Sequence, residues 1–187
     1  MIYSWKKIVK HGLPILLIAV IVEVFAGQIL QGNQDLLIIL PIFLVSVPVI
    51  NSVGGNIGSV LGARLASGLH VGYITSSLND KEMHENVILS LLIGFIAYFV
   101  LAIIIYFVAV LRNIVSDIAL VEFVGIIVLT GVLLVCVVSL VSVITAFISF
   151  KHGLDPDDIV APVVTTVGDI MGIVFLFMVI SLFGVGI

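Results

Sequence analysis

Asp169 is the residue whose chemistry most needs an explanation, because it stands in an apolar stretch, VVTTVGDIMG. A carboxylate at the centre of a bilayer costs at least about 2.5–3.5 kcal/mol, so it is expected to face a partner, a cavity or an ion path. Thr165 lies one helical turn before it and Gly172 three residues after it, giving a small, polar stripe on one helix face. We expect a functional carboxylate; the alternative is an aspartate hydrogen-bonded to threonines for helix packing.

Two further carboxylates stand in or near apolar stretches. Glu23 lies midway along the first stretch, where Ala26 and Gly27 permit a close helix approach. An ion-path role and a protonated glutamate bonding across helices are equally compatible with Glu23. Glu122 stands near the start of a later stretch, where a position at the membrane interface would explain it.

An acidic segment, DPDD, precedes the stretch that contains Asp169. Its three aspartates either stabilise a helix N-terminus or concentrate cations at a pore mouth, and the first explanation suffices for each acid alone. Pro162 frees the carbonyl of Asp158 and can kink the helix before Asp169. The ion-path candidates are Asn51, Thr166, Glu23, Asp158 and Glu122.

The segment PVINSVGGNIGSVLGARLASG, residues 48–68, concentrates glycine and asparagine in an apolar stretch. Small residues recur every four positions from Gly54 and from Gly55, which predicts two ridges for close helix packing. Pro48 cannot bond the carbonyl of Leu44, and the Gly54-Gly55 pair favours local unwinding. Released carbonyls at membrane depth must be buried in protein or line a water-filled cavity.

Such carbonyls, an amide oxygen and a carboxylate are the ligands of a hard, oxygen-seeking cation. We therefore expect Asn56 and the carbonyls around Gly54 to lie within reach of Asp169. The predicted metal ligands are Asp169, Asn56, Gly54, Gly55 and Thr165.

The elements that must position these residues are membrane-spanning helices. The chain is 62% hydrophobic and only 10% charged, with a mean hydropathy of +1.44, too few charges for a soluble surface. Five spans are predicted, at residues 13–30, 36–69, 86–111, 120–150 and 159–187, with a loop around 76–86. The second and fourth are too long for a straight crossing and must tilt, break or extend into water. The fold class is an all-α polytopic membrane protein.

The distribution of basic residues predicts a cytoplasmic N-terminus and an external C-terminus at the cell membrane. With that orientation, all basic residues except Arg112 lie on the inner side: Lys6, Lys7, Lys10, Arg64, Lys81 and Lys151. The few scattered basic residues exclude a nucleic-acid surface. The single cysteine, Cys136, excludes an internal disulfide, and no catalytic or nucleotide-binding signature stands in a supporting context, so an enzyme is not expected.

Two segments together resemble a known family. PVINSVGGNIGSVLGARLASGLHVG, followed about a hundred residues later by DPDDIVAPVVTTVGDIMGIVFLF, is similar to the membrane domain of MgtE-type magnesium channels and still more to solute-carrier family 41 magnesium transporters. The resemblance implies a pore between two five-span units, lined by the second and fifth spans. It implies that Asp169 sits at the central cation site, with Gly54, Gly55 and Asn56 contributing oxygens beside it.

The chain also departs from these relatives. About ten residues precede the first span, so residues 1–187 are expected to form a single five-helix domain without the cytoplasmic sensor or CBS modules of MgtE. Val60 stands where MgtE-like sequences often have a polar Gln. Family 41 transporters fuse two units, so a single unit implies a homodimer in membrane lipid.

The predicted function is therefore transport of divalent cations, with Mg²⁺ as the main transported ion and other divalent cations as further substrates, through a homodimeric pore. One alternative is an exchanger that couples Mg²⁺ movement to Na⁺ or H⁺, using Glu23, Asp169 and Glu122. Another is a non-transporting membrane assembly subunit in which the small-residue ridges only pack against partners.

Overall fold

The computed structural model describes residues 5–115 and 118–185, and helices are the regular secondary structure of this part of the chain. They are α1 (Trp5–Gly32), α2 (Gln34–Ile39), α3 (Pro41–Val71), α4 (Lys81–Leu111), α5 (Leu120–Lys151) and α6 (Pro156–Leu182). All except α2 are long and apolar enough to cross a membrane, with the span of α1 running over Gly12–Gly32. The predicted all-α fold with five candidate membrane spans is confirmed.

The second predicted span, 36–69, is divided at Leu40 into the short α2 and the long α3. Pro41 lies in the first turn of α3. A backbone N–H at that position has no partner within the helix, so the missing N–H of proline costs no helical hydrogen bond. The predicted unwinding at Gly54-Gly55 is wrong, because α3 continues as a helix through Pro48 and both glycines. In lipid an intact helix satisfies its own backbone groups, and close packing by neighbouring helices holds the glycines in place.

Among the other boundaries that differ from the predictions are the start of α4 and the end of α6. α4 begins at Lys81, so residues 81–86, which were predicted to belong to the loop at 76–86, are helical. Asp80 explains this start, since its Oδ1 accepts the backbone N–H of Met83 at 3.0 Å as an N-cap. α6 ends at Leu182, short of the predicted 187, and residues 186 and 187 lie outside the described part.

α3 is the central helix: it packs against α4, α5 and α6, whereas α1 packs against α6. In a bilayer such packing depends on close van der Waals contact rather than on exclusion of water. The ridge of Gly54, Gly58 and Gly62 is buried in these contacts. The second predicted ridge lies in an interface only at its start, because Gly55 is buried whereas Ala63 and Ser67 are exposed.

Candidate cation site

Asp169 lies at the midpoint of α6, with roughly 20 Å of helix on either side, and is half-buried. Its carboxylate is therefore at membrane depth. The described residues form one ion pair, Lys81 with Glu85 at 3.5 Å on the surface, and no basic side chain pairs with Asp169. The charge of Asp169 is thus not neutralised by the described part of its own chain.

Asn51 joins α3 to α6 at this position. Its Nδ2 donates to the backbone carbonyl of Asp169 at 3.1 Å, and the side chain is only 8% exposed. Its Oδ1 is buried and has no hydrogen-bond partner among the described residues. Gly172 lies directly against this amide, since a Cβ at 172 would overlap Oδ1.

Tyr98 of α4 supports the same segment of α3 and was missed by reasoning from sequence. Its hydroxyl donates to the carbonyl of Ile50 at 2.7 Å, and its side chain is fully buried. The available signal was a tyrosine in the middle of an apolar span, where a hydroxyl needs a hydrogen-bond partner. Its ring packs on Gly131 of α5, where a Cβ would overlap it.

The two threonines before Asp169 bond to their own helix. Thr165 Oγ1 donates toward the carbonyls of Ala161 at 2.9 Å and Pro162 at 3.2 Å, and Thr166 Oγ1 to that of Pro162 at 2.8 Å. Such bonds satisfy hydroxyls inside a membrane helix and can bend it. The hydroxyl protons of both threonines are therefore used by α6 itself, which leaves oxygen lone pairs as their means of binding an ion.

The predicted second-span ligands lie on different faces of α3. Gly55 packs against Thr165, whose Cγ2 would be 3.2 Å from a Cβ at 55, while Gly54 faces Leu134 and Tyr98. Asn56 is exposed and lines a groove of about 160 Å³ between α3 and α4 with Arg64 and Ser90, among others. No hydrogen bond joins Asn56 to Asp169 in the described part. Asn51, not Asn56, is the asparagine that contacts Asp169.

Glu23 lies beside Asp169 on the neighbouring helix. Ile15 of α1 and Val163 of α6 line one groove, eight residues before Glu23 and six before Asp169, so the helices run in parallel with the two acids at similar depth. The carboxylates are close enough to repel each other. The site therefore contains two acids and no basic partner within the described residues.

The remaining ion-path candidates lie at helix ends. Glu122 is exposed, and its carboxylate accepts the backbone N–H of Ala119 at 3.3 Å at the start of α5. Asp158 lies in the first turn of α6, where its N–H donates to the carbonyl of Asp155 at 3.2 Å, roughly 16 Å along the helix from Asp169. Neither residue shares the contacts around Asp169.

Within the described residues, no group of three or more His, Cys, Asp or Glu side chains is arranged to hold a metal ion. One protomer thus brings together a half-buried carboxylate, a second carboxylate on α1 and backbone and amide oxygens near α3. This composition suits an ion that keeps much of its hydration shell, as Mg²⁺ does.

These features define a polytopic helical membrane protein with an acidic site at mid-membrane. The family model of MgtE, described as a divalent cation transporter, matches residues 47–179, most of the chain. The chain therefore belongs to the MgtE family of divalent cation transporters, as the paired motifs predicted. A search of curated proteins and a search of solved structures each gave no match. The matched residues begin within α3 and include Asn51, Asn56 and Asp169, whereas Glu23 lies outside them.

Proposed function

We propose that the chain transports Mg²⁺ across the cell membrane through a homodimeric pore, with Asp169 at its central site. The observation that carries this proposal is the carboxylate of Asp169 at the midpoint of α6, beside a second acid and without a basic partner in the described part of the chain. A carboxylate charge at membrane depth needs a compensating charge. A passing cation supplies it.

A dimer would bring two copies of Asp169 toward one axis. At a separation of about 4 Å and an effective dielectric of about 20, two like charges repel by about 4 kcal/mol. A divalent ion between them relieves this repulsion more than Na⁺ or K⁺ does. Oxygen atoms of the second and fifth spans would then hold the remaining water; the proposed contributors are the carbonyls of Gly54 and Gly55, the side-chain amide of Asn56 and the hydroxyl of Thr165.

The test is Mg²⁺ flux into proteoliposomes containing the purified chain. Asp169→Asn removes the charge and keeps the size of the side chain, so flux should fall to background while the purified protein keeps its thermal stability. Glu85→Gln is the matched control, because it removes an exposed carboxylate outside the site. Undiminished flux in Asp169→Asn would refute the assignment.

A coupled exchanger is the second candidate, and the position of Glu23 favours it. A second mid-membrane acid next to Asp169 provides a group that can bind a proton or Na⁺ while the other binds Mg²⁺. In that mechanism, flux depends on an imposed Na⁺ or pH gradient, and Glu23→Gln removes this dependence while retaining Mg²⁺ binding. Flux of the unchanged chain that is indifferent to both gradients would exclude it.

A non-transporting assembly subunit predicts that no divalent ion binds. Mn²⁺ provides a paramagnetic probe for this alternative. The measurement is the electron paramagnetic resonance signal of free Mn²⁺. If the chain broadens or removes this signal, if Mg²⁺ restores it, and if Asp169→Asn has no such effect, a subunit that only packs against partners is excluded.

A further inference from the structure

Asn51 contacts α6 at two points within one helical turn. Its Nδ2 donates to the backbone carbonyl of Asp169 at 3.1 Å, and its amide lies against the Cα of Gly172. Both contacts lie in the interface between α3 and α6, where Asn51 and Gly172 are buried. The amide therefore touches the helical turn that carries the Asp169 carboxylate, but through the backbone.

Packing alone does not account for an asparagine at this position. A buried amide in an apolar interior is costly unless both of its ends are hydrogen-bonded, and Asn51 Oδ1 has no partner among the described residues. A leucine, which has the same number of side-chain heavy atoms and the same branching, would carry no polar atoms and would avoid that cost. The hydrogen bond to the Asp169 carbonyl is what a leucine would lose.

Gly172 makes the contact with Asn51 sterically feasible. A Cβ at 172 would overlap Asn51 Oδ1 and would lie 3.3 Å from a methyl group of Leu134. A residue larger than glycine would push the amide away from α6. Asn51 and Gly172 therefore act as a matched pair, one on each helix.

We propose that Asn51 is a positioning residue for the Asp169 carboxylate. Its amide fixes the rotation and height of the 169–172 turn of α6 against α3, and thereby sets the affinity and discrimination of the divalent-cation site. This inference rests on the proposed function of Asp169. Asn51 acts on the ion through Asp169 rather than as a ligand.

The neighbouring contacts explain why one hydrogen bond has this effect. Gly55 and Gly168 bring the two backbones together, with a Cβ at 168 expected 3.7 Å from the Cα of Gly55. Close packing fixes the distance between the helices but permits small slides and rotations along smooth glycine surfaces. A directional bond restrains those movements, and binding sites need their groups held within about 0.5 Å.

The experiment compares three variants in Mg²⁺ flux: Asn51→Ala, Gly172→Ala and the double variant. Loss of a hydrogen bond of about 1 kcal/mol should raise the half-saturating Mg²⁺ concentration about fivefold in each single variant. The double variant should be no worse than the poorer single variant, because both changes disable the same contact. Discrimination between Mg²⁺ and Ca²⁺ should weaken in parallel.

Ser142→Ala is the matched control, since it removes another buried bond from a side chain to a backbone carbonyl, that of Gly58 at 2.8 Å, between α5 and α3, about two helical turns from Asn51. It should lower the melting temperature but leave the half-saturating concentration unchanged. If Asn51→Ala does not accumulate, Asn51→Leu, which keeps the number and branching of the side-chain heavy atoms, takes its place with the same expected shift.

The inference fails if Asn51→Ala and Gly172→Ala both keep a half-saturating concentration within about twofold of the unchanged chain while stability falls as in Ser142→Ala. Asp169→Asn separates the two proposals. Lost flux in Asp169→Asn together with unaltered affinity in the Asn51 variants overturns the positioning role alone. Retained flux in Asp169→Asn overturns the proposed function, and the positioning role with it.

Discussion

α1 and α3 are both apolar enough to span a membrane, yet their surroundings differ. Within the most apolar window of each helix, 6% of the residues of α1 are buried against 44% of those of α3. Gly27 on α1 has open space around it, whereas Gly58 on α3 is pressed against Val138 and Val164. The same residue type therefore marks a close helix contact only where a second helix is present. Hydropathy identifies both helices as candidate spans, but only the packing of neighbouring helices shows which of the two is buried.

The difference also separates the two carboxylates of the site. Asp169 lies in the part of the chain that matches the MgtE family, where α3, α5 and α6 pack together. Glu23 lies on α1, outside the matched residues and exposed. We expect the centre formed by α3, α5 and α6 to be sensitive to added volume and α1 to tolerate it.

The largest effect is expected from Gly58→Val. A Cβ at 58 would overlap Val164 and lie 3.0 Å from the Cβ of Val138, so two helices must move apart. Overpacking of this kind costs about 1–3 kcal/mol and sometimes more. Thermal denaturation of the purified protein in detergent should show a large decrease in melting temperature or a loss of folded protein. An unchanged melting temperature would contradict the close packing of α3.

A moderate effect is expected from Tyr98→Phe. The ring and its packing on Gly131 remain, but the carbonyl of Ile50 loses the hydroxyl that donates to it at 2.7 Å. The loss should be about 0.5–1.5 kcal/mol, measured by the same denaturation. Phe99→Leu, a change at an exposed neighbouring position, serves as the control and should alter stability less. Equal stability of Tyr98→Phe and the unchanged chain would show that the bond contributes nothing.

A smaller, pH-dependent effect is expected at Asp80, in the connection between α3 and α4. The backbone N–H of Thr75 bonds its carboxylate at 2.9 Å, and those of Met83 and Glu82 and the Thr75 hydroxyl add to this, holding the pKa below its ordinary value of 3.8. Because the folded pKa is the lower one, the stabilisation is present above pH 3.8 and is lost as the pH falls through the folded pKa.

Asp80→Asn should therefore melt below the unchanged chain at neutral pH, and the difference should shrink under acidic conditions below the ordinary pKa. Melting curves recorded in steps between neutral and strongly acidic pH measure this convergence. A difference that stays constant as the pH falls would show that the charge of Asp80 is not what stabilises the connection.

The smallest effect is expected from Gly27→Val, the counterpart of Gly58→Val on α1. No atom outside its own helix lies within 4 Å of a Cβ at 27, so the stability of the folded chain should change by less than about 0.5 kcal/mol. Size-exclusion chromatography sharpens the comparison further. A shift to a smaller assembly than that of the unchanged chain would identify this face of α1 as a contact between protomers, and an unchanged profile would leave it facing lipid.

Much of the fold was predictable because the features that define it are local. Long apolar runs indicated five spans, and the structure moved their ends by a few residues where Asp80 caps α4 and Pro41 opens α3. The resemblance of two segments, one beginning at Pro48 and one at Asp155, was enough to name the family. The mid-membrane position of Asp169 followed from its place between the acidic segment and the last apolar residues.

The identity of the asparagine that contacts Asp169 was not predictable in the same way. Asn51 and Asn56 are five residues apart, which separates them by about 140° around a helix of 3.6 residues per turn. Both are polar residues on one apolar helix, so the pattern alone favours neither. The expected release of carbonyls at Gly54-Gly55 was wrong for a related reason, because the packing of glycine against valine and leucine side chains keeps that helix intact.

The sequence by itself determined that this chain has five helices long and apolar enough to cross a membrane, carries a carboxylate in the middle of the last one and belongs with divalent cation transporters. These properties depend on residue type and spacing along the chain. Only the tertiary structure decided that Asn51 faces α6, that Asn56 faces a groove beside α4 and that Glu23 approaches Asp169. The rotation of each helix about its own axis depends on the side chains of all its neighbours, which no single segment contains.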